Sequence, residues 1–95
     1  HKDAYALFYA PSWCHWSQKI EPYWNKMVHD NYNKELNFKF YTIDCDSNPD
    51  LCREYRISGY PTVLYIKPGN VITENRNIIY SDDLSTNLIE WANSQ

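Results

Sequence analysis

The feature that most constrains the fold is the stretch AYALFYA, residues 4–10, a nearly continuous run of apolar and aromatic side chains. Pro11 ends the run, and a proline cannot donate a backbone hydrogen bond to a sheet. A continuous apolar run of this length is typical of a strand that is covered on both faces. We therefore predict a buried strand here, with other elements of the chain packed on both sides of it.

A helix and a second strand are predicted next. After Cys14, apolar residues recur at spacings of three and four, which indicates an amphipathic helix with Pro22 as a kink. These apolar residues are Ile20, Tyr23, Trp24, Met27 and Val28. Residues 38–44, FKFYTID, then predict a second buried strand.

A short helix is predicted over residues 49–56. Asn48 suits its N-cap, and Pro49 suits the first helical position, where a missing N–H costs nothing. The residues that this helix is expected to bury are Leu51, Cys52 and Tyr55.

The last part of the chain predicts a hairpin and a final helix. Pro68-Gly69 forms a type II turn between the strands TVLYIK (62–67) and VITENRNIIY (71–80). A helix follows the polar stretch 81–83, with one apolar face made of Leu84, Leu88 and Trp91. The order of elements is βαβαββα, so we expect an α/β fold with parallel pairing first and an antiparallel hairpin later.

Composition limits the chain to one domain, residues 1–95, possessing a single core. The apolar fraction is 43% and the formal net charge is −3, without a run of Lys or Arg, so we expect neither nucleic acid nor an anionic membrane as a partner. No apolar stretch approaches the roughly 20 residues of a membrane span. The first ten residues lack the layout of a signal peptide, although a longer parent chain would be compatible with the sequence.

The three cysteines are Cys14, Cys45 and Cys52, so any pairing leaves one thiol free. Cys45 and Cys52 close the short loop CDSNPDLC, which favours a disulfide between them and hence an oxidising compartment. Two small buried thiols are the alternative. A zinc site is disfavoured because the loop lacks close ligand pairs and a nearby histidine. We expect no metal and no cofactor.

Two separated motifs resemble the protein disulfide isomerase family, within the thioredoxin superfamily. The first, FYAPSWC, is similar to the family's Phe-Tyr-Ala-Pro-Trp-Cys and is followed by Pro22. The second, YTIDCDSNPDLCREYRISGYPTVLYIKPGN, matches the family's Asp-Cys, Leu-Cys and Gly-Tyr-Pro-Thr pattern. The resemblance runs from about Ala6 to Trp91. It implies a thioredoxin fold, a mixed sheet flanked by helices, here without the strand and helix that usually precede FYAP. The resemblance also implies a disulfide between Cys45 and Cys52.

Cys14 is the candidate nucleophile. A cysteine that opens a helix faces unpaired N–H groups and the positive end of the helix dipole, and both favour the thiolate. His15, when protonated, would add to this effect, although it is equally compatible with a solvated loop residue.

The resemblance implies that Pro61 follows a cis peptide bond and lies beside Cys14. The backbone of Tyr60 would then pair with an extended client peptide. Trp13, Trp16 and Tyr60 would frame an apolar rim for an unfolded client, with ordinary packing as the alternative role of the tryptophans.

Ser17 stands where redox-active relatives have a second cysteine, which makes the motif Cys-x-x-Ser. A hydroxyl cannot resolve a mixed disulfide, so a complete dithiol oxidoreductase is not expected. The groups that serve the second thiol in the family are also replaced: Leu7 takes the place of a glutamate, Gln18 that of a lysine, and the last helix lacks an arginine. Ser12 is one residue extra before Trp13.

We therefore expect an isomerase-like domain whose single thiol forms mixed disulfides with unfolded or disulfide-containing client proteins, in support of folding, isomerisation or retention. The alternative is a redox-inactive chaperone or adaptor that binds unfolded peptides without thiol chemistry. A third hypothesis is an interaction scaffold that docks a partner on an open edge strand. The resemblance places the domain in the lumen of the endoplasmic reticulum or another oxidising secretory compartment.

Overall fold

A computed structural model of the chain describes residues 2–76 and 83–95. Its elements follow the expected βαβαββα order: β1 (Asp3–Tyr9), α1 (His15–Asn31), β2 (Phe38–Asp44), α2 (Pro49–Glu54), β3 (Thr62–Lys67), β4 (Val71–Asn75) and α3 (Leu84–Asn93). The strand predicted over 71–80 is thus seen for its first five residues. Residues 77–80 of that prediction, and the first two residues of the stretch 81–83, lie outside the described residues.

The four strands form one mixed sheet in the order β2-β1-β3-β4. β1 runs parallel to β2 and antiparallel to β3, and its register sets Tyr9 opposite Asp44 and Phe8 opposite Thr62. The end of β1 therefore lies beside the end of β2 and the start of β3. Three loops meet at this edge of the sheet: 10–14, 45–48 and 59–61.

The predicted buried strand is confirmed at the centre of the sheet, since every residue of β1 from Tyr5 to Tyr9 is buried. Side chains alternate between the two faces of a strand, and the two faces of β1 enter separate clusters. One cluster lies under α1 and α3 and includes Tyr5, Leu7, Tyr9, Ile20, Trp24, Met27 and Leu88. The other lies on the opposite face and contains Ala6, Phe8, Cys45, Cys52 and Leu64.

Two burial predictions were wrong. In β2 only Phe38 is buried, because β2 lies at an edge of the sheet. The short helix α2 ends at Glu54 and buries only Cys52, whereas Leu51 is 36% exposed. Both errors have one cause. The helix α2 has only six residues, so it covers too little of its face of the sheet to bury the edge strand β2, and its own outer side stays in water.

Tyr23 and Asn48 also differ from expectation. Tyr23 is 45% exposed on α1 and does not join the core. Asn48 occupies the N-cap position of α2 without a capping hydrogen bond from its side chain, which instead donates from Nδ2 to the carbonyl of Asp44 at 3.0 Å. Asp83 does cap α3, where its carboxylate accepts a hydrogen bond from the Thr86 N–H.

Gly69 has a φ of +81°, a value that the third position of a type II turn requires. Within residues 2–76 and 83–95, no helix combines the length and the apolar character needed to cross a lipid bilayer.

We expect Leu88→Ala to lower the free energy of unfolding by about 2–5 kcal/mol, because it empties a fully buried position between α3 and β1. Leu51→Ala is the matched control, since its side chain is partly in water, and we expect it to cost about 1 kcal/mol or less. Urea unfolding of both variants measures the difference. Equal losses would contradict the assignment of the main core to the α1–α3 face.

Candidate functional site

Cys14 is the N-cap residue of α1 and the free, partly exposed thiol of the three cysteines. Its backbone is extended, with φ −90° and ψ 117°. The Cys14 N–H donates to the carbonyl of Ala10 at 2.9 Å, and the Gln18 N–H donates to the carbonyl of Cys14 at 3.0 Å. The backbone of Cys14 is thus hydrogen-bonded to the residue that follows β1 and to the first turn of α1, so Cys14 opens the helix as the sequence predicts.

Ser17 is the third residue of α1, in its first turn, and is completely buried. Its Oγ accepts a hydrogen bond from the Ala10 N–H at 2.9 Å. A hydrogen bond of the same hydroxyl is among the influences that lower the pKa of the Cys14 thiol. A serine hydroxyl has one proton to donate, and because Ala10 already donates to its oxygen, that proton is available to the sulfur. Ser17 therefore offers the Cys14 thiol a hydrogen-bond donor from within the first turn of α1.

The pKa of the Cys14 thiol is lowered from its ordinary value. Partial burial is the largest single influence and acts in the opposite direction, because it disfavours the charged form. Hydrogen bonds from the Ser17 N–H, from the Ser17 hydroxyl and from the Trp16 N–H together outweigh it. The backbone donors belong to the first turn of α1, where N–H groups have no partner within the helix. Their combined effect raises the fraction of reactive thiolate near neutral pH.

The Tyr60–Pro61 segment faces the sulfur from the opposite loop. Its peptide bond is cis, and the carbonyl oxygen of Tyr60 lies 3.7 Å from Cys14 Sγ. The hydroxyl of Thr62 donates to the carbonyl of Gly59 at 2.8 Å, which closes this loop onto the start of β3. The fold thus brings together two motifs that are 46 positions apart in the chain.

Aromatic side chains surround the thiol on its exposed side. Trp13 is 62% exposed, and its ring meets that of Tyr60 edge to face with centroids 5.7 Å apart. Trp16 is 45% exposed, and the Lys19 ammonium lies 5.1 Å from its ring centroid. His15 is exposed and packs its ring against Trp16, while the hydrogen bonds that lower the pKa of Cys14 come from other groups.

Asp46 belongs to the site, although sequence reasoning did not single it out. Its carboxylate accepts hydrogen bonds from the hydroxyl of Ser12 and from Trp13 Nε1–H, the latter at 3.1 Å. These two bonds lower the pKa of the Asp46 carboxyl. The available signal was its place directly after Cys45 in the second motif, but nothing in the sequence indicates which side chains it meets.

A disulfide joins Cys45 and Cys52, whose Cα atoms are 5.7 Å apart. It ties the chain just after β2 to α2 and packs against Phe8 and Leu64 in the second cluster. The Cys45 N–H also donates to the carbonyl of Tyr9 at 2.9 Å, which extends the β1–β2 pairing by one residue. The loop that carries Asp46 is therefore fixed at its base.

A central mixed sheet, a free cysteine that opens a helix and a cis-proline facing its sulfur together define the class of thioredoxin-fold domains. The chain belongs to the thioredoxin family, whose sequence pattern, described as Thioredoxin, matches residues 1–90.

Its relatives include isomerase-like proteins. The chain is 35% identical over 74 residues to Protein disulfide isomerase-like 5-4 of Oryza sativa subsp. japonica, which covers 73% of this chain and 15% of that protein. It is 34% identical over 65 residues to human Endoplasmic reticulum resident protein 44, which covers 65% of this chain and 16% of that protein. The crystal structure of human ERp44 superposes with a TM-score of 0.76 at 30% identity and covers 95% of this chain and 26% of that one. The chain thus spans about 15% of the length of the first curated relatives.

We expect Ser17→Ala to slow the alkylation of Cys14 by iodoacetamide at pH 7 by about three- to tenfold, because a hydrogen bond to the thiolate is lost. The rate should regain its wild-type value at high pH, where every thiol is ionised. Ser85→Ala is the control, since it removes a helical hydroxyl that donates to the carbonyl of Tyr23 instead. Identical pH profiles for the wild type and Ser17→Ala would show that the hydroxyl does not act on the sulfur.

Proposed function

We propose that this chain is a protein disulfide isomerase-like domain that uses one thiol to form mixed disulfides with client proteins. The observation that carries the proposal is the position of Cys14 Sγ, held at the start of α1 by donors that stabilise its thiolate and 3.7 Å from the carbonyl of Tyr60. Ser17 replaces the second thiol at this site, so the motif is Cys-x-x-Ser.

The reaction is an exchange without net oxidation or reduction. The Cys14 thiolate attacks one sulfur of a client disulfide, and a new S–S bond forms between Cys14 and that sulfur. The client's own S–S bond breaks, and its second sulfur leaves as a thiolate that takes a proton from water. A client thiol or a small-molecule thiol then attacks the client sulfur of the adduct and releases Cys14 as a thiolate. When the attacking thiol belongs to the client, the result is isomerisation.

The persistence of the adduct follows from the residues around Cys14. Ser17 lies where a resolving thiol would attack, and its hydroxyl cannot break the mixed disulfide. Leu7 is a fully buried apolar side chain where active relatives of the isomerase family are expected to have a glutamate. With neither a second sulfur nor its proton acceptor, the domain retains its client until a thiol of the client or of a small molecule attacks the adduct. This behaviour suits isomerisation, retention or quality control better than catalysed oxidation.

The client-binding surface in this proposal consists of Trp13, Trp16, Tyr60 and Pro61. The exposed aromatic rings offer apolar contact area next to the thiol. An extended client chain pairs with the backbone of Tyr60 in the manner of an added strand. A groove of about 820 Å³ continues from Tyr60 and Pro61 towards β4, and the Arg56 and Ile72 side chains line it. Unfolded or disulfide-containing proteins are the proposed clients, and we expect no nucleic acid as a partner and no membrane contact from this part of the protein.

The proposed location is the lumen of the endoplasmic reticulum or another oxidising secretory compartment. The Cys45–Cys52 disulfide supports it, because such bonds persist mainly in oxidising surroundings. A relative named as resident in the endoplasmic reticulum supports it as well.

The test uses a short peptide whose one cysteine is linked to glutathione by a disulfide. We expect the wild-type protein to form a protein–peptide adduct, visible by mass spectrometry without reductant, because the Cys14 thiolate displaces glutathione. Cys14→Ser should abolish the adduct. Ser17→Cys should shorten its lifetime about tenfold or more, since a second thiol can then resolve it.

Two outcomes would contradict the proposal. A wild-type protein that alkylates normally but forms no peptide adduct would show that Cys14 does not capture clients. Suppression of client aggregation that survives Cys14→Ala unchanged, without any adduct in the wild type, would instead favour a chaperone that works without thiol chemistry.

A further inference from the structure

Asp46 is the point at which two loops of the site are joined. Both oxygens of its carboxylate are used: Oδ2 accepts from the Ser12 hydroxyl, and Oδ1 accepts from Trp13 Nε1–H. Ser12 and Trp13 precede the thiol, whereas Asp46 lies more than 30 positions later, in the loop after β2. The carboxylate therefore connects the loop before the thiol to the disulfide-bonded loop.

The backbone that carries this carboxylate is held in place by two bonds. The Asp46 N–H donates to Asp44 Oδ1 at 2.9 Å, and the preceding residue, Cys45, is bonded to Cys52. An acceptor fixed in this way can orient its donors, because it has little freedom to follow them.

Trp13 is consequently ordered although most of its surface is in water. Its indole N–H is bonded to Asp46, and its ring meets the ring of Tyr60 edge to face. An exposed aromatic side chain normally loses rotamer freedom when it binds a partner, which reduces affinity. Here the hydrogen bond to Asp46 and the ring contact with Tyr60 already restrict that freedom in the free protein. The result is a fixed apolar wall one residue from the thiol.

Ser12 explains how the loop accommodates its extra residue. Its hydroxyl donates a hydrogen bond to the same carboxylate as the Trp13 indole. The additional residue therefore gives the loop a second hydrogen bond to Asp46.

We infer that Asp46 is a positioning residue for client capture. Through its hydrogen bonds with Ser12 and Trp13, it holds the indole ring of Trp13 against Tyr60. The ring then forms a wall that contacts an apolar client side chain next to the client's reactive cysteine. The inference rests on the proposed function and extends it to a preference among clients.

The experiment compares two glutathione-capped peptides that differ only before their cysteine, one with phenylalanine and one with glycine. We expect Asp46→Ala to lower the rate of adduct formation with the phenylalanine peptide by about three- to tenfold, because Trp13 must then be ordered during binding. The rate with the glycine peptide should change by less than about twofold, since it makes little use of the wall. Alkylation of Cys14 by iodoacetamide should also stay near the wild-type rate, because the carboxylate bonds to Ser12 and Trp13 and not to the sulfur.

Two further variants separate the hydrogen bonds from the charge. Asp46→Asn should restore most of the phenylalanine preference, because the amide oxygen can accept from Trp13 and the amide NH₂ can donate to the Ser12 oxygen. Asp50→Asn removes a charge from the neighbouring helix, where the side chain is 94% exposed and pairs with Arg53. We expect this control to behave as the wild type does.

The indole N–H resonance of Trp13 gives a reading that is independent of capture. Its assignment follows from its disappearance in Trp13→Phe, and we expect it to shift in Asp46→Ala and to stay in place in Asp50→Asn. Trp13→Ala combined with Asp46→Ala should capture the phenylalanine peptide no more slowly than Trp13→Ala alone.

The outcomes distinguish this inference from the function on which it rests. Wild-type capture that Asp46→Ala leaves unchanged, or losses that add in the double variant, would overturn the role of Asp46 alone. A wild-type protein that captures neither peptide would overturn the proposed function and the inference with it.

Discussion

The backbone of Ala10 is hydrogen-bonded to both Cys14 and Ser17, and the position of the thiol depends on these two bonds. Its carbonyl accepts the Cys14 N–H, and its own N–H donates to Ser17 Oγ. The residue is completely buried and directly follows β1, which lies between β2 and β3 in the sheet. Cys14 and Ser17 are therefore both hydrogen-bonded to the residue that follows the central strand.

Features that rest on local pattern or on a contiguous motif could be predicted from the sequence. The apolar run of β1, the helix after Cys14 and the Cys45–Cys52 pair belong to this kind, and the structure contains all three. The cis bond before Pro61 came from a resemblance in the motif, since spacing alone does not favour it.

The remaining features depend on contacts between residues that are far apart in the sequence. β2 reads as a buried strand because FKFYTID is largely apolar, but burial requires a covering element, and an edge strand beside a six-residue helix has little cover. The sequence does not indicate a role for Asp46 for a similar reason. An aspartate in a polar loop is ordinary in sequence, and its partners Ser12 and Trp13 lie 34 and 33 positions away. Pairings of that kind become visible only once the register of β1 and β2 brings the loops together.

The buried hydroxyl of Ser17 has a kinetic consequence for the proposed mechanism. At a site with two thiols, the dwell time of a client is an internal property, fixed by how readily the second sulfur reaches the first. A hydroxyl in that position cannot end the dwell, so for a client that has no free thiol within reach the dwell time depends on the concentration of thiols in the surroundings. Such a domain would hold a client for longer where thiols are scarce and release it sooner where they are abundant. Under the proposed mechanism, the compartment and not the domain would then set how long such a client stays bound.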